Sequence, residues 1–184
     1  MLQIIKPFII WALYPAIVEQ TGNNHLLAAA ACLILIVAIA HDNLRRGFLI
    51  DWTAFTYFVV VILLSLTISD HWIVVYPMVA ISLAYTLASG LSLLFRQPYT
   101  LQYAKSQTSP EVWSDPHFIT INFHLTGIWT VIFLLCFLLS LGAALFDPYW
   151  PIFVLVRNCL IAVGLVIPEQ YPRLYLEKVE AKQI

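Results

Sequence analysis

Six apolar runs alternate with short polar breaks along the chain, at residues 4–18, 25–40, 48–68, 72–95, 119–146 and 152–167. A bilayer hydrocarbon core about 30 Å thick takes about 20 helical residues. Outside a closed barrel, only a helix satisfies its own backbone there. The pattern therefore predicts an all-α polytopic membrane protein, a six-helix transmembrane bundle forming one integral membrane domain over residues 1–184. The first run is the shortest. Pro7 suits a first helical turn, whereas Pro15 predicts a kink or an end one turn before Glu19. A full tilted crossing and a partly re-entrant segment both remain open for it.

The breaks read as turns. Gln20-Thr21-Gly22-Asn23-Asn24 and Ser69-Asp70-His71 are turn-like by composition, and Asp147-Pro148-Tyr149-Trp150-Pro151 is a rigid aromatic corner. His41 to Gly47 is expected to close the second helix, with Asn43 and Gly47 as turn residues. Ala28 to Ala31 place small side chains on that helix, which suits a central position in the bundle. Pro77 is expected to bend the fourth span, and Pro168 then Pro172 to stop the sixth.

Charge orients the pattern. Lys6, Arg45, Arg46, Arg96, Lys105, Arg173, Lys178 and Lys182 fall at the N-terminal end, in alternate loops or in the tail. The intervening loops carry Glu19, Asp70 and Asp147 but no Lys or Arg. Cytoplasmic loops hold the Lys/Arg excess, so both termini are expected in the cytoplasm. A composition 61% hydrophobic and 10% charged, with a mean hydropathy of +0.87, excludes an ordinary soluble domain, in which about 25% of residues are charged. The net charge of −1 gives no reason to expect nucleic acid as a partner. The expected partners are the lipid bilayer and further copies of this chain. Cys32, Cys136 and Cys159 lie in apolar runs and read as small core hydrophobes. Pro15-Ala16-Ile17-Val18-Glu19 lacks the small-residue pair of a cleavage site, so no removable leader is expected.

The connection from Arg96 to Phe118 is the longest and least apolar. Two readings of it compete. In one, its aromatics sit at headgroup level with Arg96 and Lys105 against lipid phosphates. In the other it forms a pocket, Arg96 and Lys105 receiving an anionic group between walls of Tyr99, Tyr103 and Trp113. The helical part is expected around Leu101 to Lys105.

This stretch also carries a resemblance. Arg96-x-Pro-Tyr-Thr-x-x-Tyr-Ala-Lys105, then Pro110-x-x-Trp-x-x-Pro-x-Phe118, then Asn122-x-x-x-Thr-x-x-Trp129 resembles bacterial polytopic membrane proteins of uncharacterised activity. More distantly, Pro110-x-x-Trp113 ahead of a span with Asn122 and Trp129 is similar to the intracellular septation protein A family. The resemblance implies a small multi-pass protein of a bacterial inner membrane, with other envelope membrane proteins as partners, and carries no catalytic residues over.

Apart from Lys6 at the start of the first run, two charges fall inside spans, Asp51 and Arg157. Such charges are costly and face a cavity, a partner or the interface. Asp51, one turn from a boundary, is within reach of Arg45, Arg46 or water. Arg157 is expected to face inward and bond an acceptor such as Asp147, Glu19 or Asn158. His117 and His124 are seven apart and share a helical face. No metal site is expected and no cofactor, since the histidine spacing matches no ligand motif; whether His41 and His124 share a site stays open. The functional expectation is a non-enzymatic envelope component, structural or partner-binding. The alternative is a small-solute or ion transporter or channel.

Cysteines introduced at Asn23, Ser69 and Tyr149 are expected to react with an impermeant thiol reagent added outside the cell. Cysteines at Arg45 or Lys105 should react only after permeabilisation. The opposite pattern would invert the topology.

Overall fold

The computed structural model describes residues 2–68, 71–146 and 148–181, and among them all regular structure is helical. The helices are α1 (Leu2–Gln20), α2 (His25–Arg45), α3 (Leu49–Thr67), α4 (Trp72–Val75), α5 (Pro77–Leu94), α6 (Tyr99–Lys105), α7 (Pro116–Leu145) and α8 (Trp150–Glu180), with a 3-10 turn at Pro110–Val112. Five of them, α2, α3, α5, α7 and α8, are long and apolar enough to cross a membrane. Each carries large apolar side chains on its outer face: Ile34, Leu63, Leu87, Val131 and Leu155 are all exposed. In water such faces would be a liability; in a bilayer they are the solvent contact. The chain is a membrane-embedded, multi-pass protein. Ser69, Asp70, Asp147 and Lys182 lie outside the described residues, as does the side chain of Lys6.

Two compact units divide the chain, Leu2–Ala88 and Ser89 onward. In the first, α2 packs against α1 and α3. Ala28, Ala29, Cys32, Ile36 and Ala40 form its buried stripe, a run of mostly small side chains that lets the helices approach closely. Gly22 and Asn23, both at positive φ, turn the chain between α1 and α2. Asn24 then caps α2 by accepting from the Leu27 N–H at 3.1 Å. The aromatic core of this unit includes Tyr14 against Phe58 at 5.3 Å and Trp11 edge-on to Tyr85 at 6.3 Å.

In the second unit α7 and α8 are an antiparallel pair joined by a short corner, and α6 lies on α7. Two glycines set how close the pair comes. A Cβ at Gly142 would meet Phe153 at 2.8 Å, and one at Gly164 would meet Ile132 at 2.9 Å and Trp129 at 3.0 Å. Trp129 itself is buried and lies 5.4 Å from the Phe133 ring.

Several expected boundaries move. Pro15 does not end α1, which continues to Gln20. His41 does not close α2, which passes a kink at Ala40 (φ −107°, ψ 15°) and runs on to Arg45; Gly47, at φ 73°, makes the turn. Asn43 is buried in the helix and is not a turn residue. The fourth apolar run does not bend but breaks at Tyr76, because Pro77 lacks the N–H that would bond the Ile73 carbonyl. The Tyr57 hydroxyl approaches that carbonyl at 3.5 Å and donates to the Pro77 carbonyl at 3.2 Å. Finally, Pro168 and Pro172 do not stop the last helix, which reaches Glu180. Four residues apart, they remove N–H groups from one stripe only, and the remaining ladder carries the helix through.

Replacing Gly164 by valine should lower the thermal unfolding midpoint in detergent, at a cost of about 1–3 kcal/mol for forcing atoms into a filled contact. Gly127→Ala, where a Cβ meets nothing within 4 Å, should leave the midpoint near that of wild type. Equal effects of the two would refute the packing account.

Candidate functional site

The motif-bearing segment around α6 is a polar knot. Arg96 takes a left-handed turn at φ 56° and releases the chain from α5. Ser92, on the last turn of α5, accepts from the Tyr99 N–H at 3.3 Å. Thr100 then binds α7 twice through its hydroxyl: it donates to the Asn122 carbonyl at 2.8 Å and lies 2.8 Å from the Thr126 hydroxyl. Its N–H also donates to Thr126 Oγ1 at 3.4 Å. Asn122 turns its amide back to the Phe118 carbonyl at 2.8 Å. Tyr99 and Tyr103 are fully buried with rings edge-on at 6.2 Å.

The five residues singled out in this stretch thus separate into two groups. Tyr99 and Tyr103 belong to the interior. Arg96 is exposed, and Lys105 and Trp113 are half-buried. The Lys105 ammonium lies 5.4 Å from the Trp113 ring centroid, a cation–π distance that folds the loop after α6 back on itself. Asp115 completes the segment by capping α7, accepting from the His117 N–H at 2.7 Å.

The two charges within spans lie in different units. Asp51, in the first turn of α3, has no exposed surface, and its Oδ2 accepts from Asn43 Nδ2 of α2 at 3.2 Å. Arg45 and Arg46 are exposed, so the carboxylate turns inward, away from water. Arg157 is 8% exposed. Its Nη2 and Nε donate to Asn158 Oδ1 at 3.2 and 3.4 Å, and its Nη1 reaches Ser140 Oγ on α7 at 3.5 Å. Of the three acceptors expected for it, Asn158 is used and Asp147 is outside the described residues. Glu19 is exposed in the other unit. Ser140 is new; a serine seventeen positions away carries no sequence signal until the helix pairing is known.

A third polar group gathers at the far end of the α7–α8 pair. His124 Nδ1 lies 2.6 Å from the Tyr171 hydroxyl, and the Tyr175 ring lies 6.0 Å from His117 and 5.9 Å from His124. The shared face of the two histidines is real, and its partners are tyrosines. His41 belongs to the other unit, where it lies 3.7 Å from the exposed Asp42. Cys159 is exposed on α8, unlike the buried Cys32 and Cys136, and is an outward-facing apolar position.

Comparisons with family models, curated proteins and solved structures gave no match.

Arg157→Leu should lower the thermal midpoint in detergent, because Ser140 and Asn158 lose their donor in a region where an unmet polar group costs about 1–3 kcal/mol. An arginine that merely reached for water would give the reverse, since leucine is the better membrane residue. A raised midpoint sinks the inward reading.

Proposed function

We propose that the protein is a non-enzymatic component of a bacterial inner membrane with a structural or partner-binding role in the cell envelope. In this reading the chain crosses six times, α1 included, with both termini cytoplasmic. The Lys/Arg asymmetry supports that topology. Partners are other envelope membrane proteins or further copies of the chain.

One observation carries the role. Both charges within spans, and the threonines and asparagine of the motif-bearing stretch, serve as ties between helices. Thr100, Asn122 and Thr126 fasten α6 to α7, Asn43 joins Asp51 across α2 and α3, and Arg157 links α8 to Ser140 of α7. Polar groups spent on mutual bonds fix a bundle in one arrangement. A scaffold needs that, whereas a carrier needs bonds it can exchange. The transport alternative is favoured by Asp51, an acidic side chain without exposed surface inside a span, the kind of group that relays ions or protons in membranes.

Proteoliposomes holding a pH-sensitive dye separate the two. Vesicles with the wild-type protein should leak protons and potassium no faster than protein-free vesicles. A flux that Asp51→Asn abolishes would replace the scaffold reading with transport.

A further inference from the structure

We infer that the groove at the end of the α7–α8 pair is a binding site for the phosphate of an anionic phospholipid. The groove encloses about 460 Å³ and is lined by His124, Tyr171, Leu174, Tyr175, Lys178 and Val179. That volume lies in the range of small-ligand sites, and the lining is two-sided. Leu174 and Val179 offer an apolar wall, while an imidazole, two phenols and an ammonium offer donors.

Helix length sets its depth. Twenty residues counted from Trp150 end at Glu169, so Tyr171 sits just past the hydrocarbon core. Twenty counted back from Leu145 end at Thr126, which puts His124 just past it as well. The two helices give the same level independently. Tyr175 and Lys178 follow about 6 and 10 Å further along α8 at 1.5 Å per residue. These levels span the headgroup layer, where lipid phosphates lie. The inference depends on these lengths and not on which side of the membrane the end faces.

Charge and order make the groove a receptor for an anion. The neighbouring carboxylate of Glu177 is engaged by Arg173 Nε at 2.9 Å. Glu169 and Glu180 are exposed and do not line the groove. Lys178 makes no ion pair, and the Tyr175 hydroxyl no hydrogen bond, among the described residues. The 2.6 Å His124–Tyr171 contact and the Tyr171–Tyr175 ring contact at 6.2 Å hold the other donors in place, so little order is lost on binding. The phosphate lies among Lys178, Tyr175 and the His124–Tyr171 pair, with the acyl chains running down the apolar flank of the hairpin.

The test uses the full chain in detergent micelles doped with phosphatidylglycerol or phosphatidylcholine, with retained lipid counted by native mass spectrometry. Wild type should retain phosphatidylglycerol in preference. Lys178→Gln should weaken that retention about fivefold, the effect of one cation beside an anionic lipid surface. Lys178→Gln with Tyr175→Phe should remove the preference. Arg46→Gln, at an exposed cation in the turn after α2, should leave it intact, and unchanged helicity and thermal midpoint would show that the variants fold. Equal retention of both lipids by wild type overturns the proposal, and so does retention lost through Arg46→Gln while Lys178→Gln keeps it. Displacement of the lipid by excess inorganic phosphate would make this a free-anion site and overturn it too.

Discussion

An amide or carbonyl in hydrocarbon has no water to bond, and each one left unmet costs several kcal/mol. Every helix in this chain answers to that constraint, and so do the places where the ladder fails. At Pro77 the missing N–H would orphan the Ile73 carbonyl. The chain breaks into α4 and α5 there, and the Tyr57 hydroxyl stands over the gap, close to both Ile73 and Pro77 carbonyls. The sites that look polar within the membrane are thus largely repairs and ties, serving backbone and neighbouring helices first.

With lipid tails as apolar as leucine, apolar burial does not drive the helices together; packing and a few polar bonds choose which faces meet. The close approaches at Gly142 and Gly164 supply the packing between α7 and α8. The polar bonds are individually modest, about 0.6 kcal/mol on average in membrane helices, so their main effect is on register. Helix α6 shows this best. At seven residues it is too short to hold itself. Two buried tyrosines anchor it, and the Thr100–Thr126 pair fixes its position along α7.

Five of the six expected spans, α2, α3, α5, α7 and α8, are legible in the sequence as helices long and apolar enough to cross, because a long apolar run has few stable forms in lipid. The helical stretch in the 96–118 connection is legible in part, its start at Tyr99 lying two residues before the expected Leu101. What escapes is direction and partnership. Tyr99 and Tyr103 look like pocket walls until a three-dimensional fold turns them inward. Asn43 reads as a turn residue because it sits among charges, yet the kinked continuation of α2 carries it to Asp51. Arg157 announces that it needs acceptors, but only the pairing of α7 with α8 brings Ser140 to it. Pro168 and Pro172 mislead for a related reason. A proline's local cost is known from sequence, whereas the tertiary contacts that outweigh it are not.

Those contacts explain why α8 is so long. At 31 residues it spans about 46 Å, well beyond the hydrocarbon core, and its last third is polar enough to sit in water and headgroups. An extension that lacks two ladder bonds would fray if left alone. It is held by rings: Tyr171 on His124, and Tyr175 on His117 and His124. The aromatic cluster therefore has a structural task to perform whether or not a ligand is present. That task is what gives the adjoining groove fixed walls, because a side chain already immobilised by packing can hold a donor in place at little further cost in entropy.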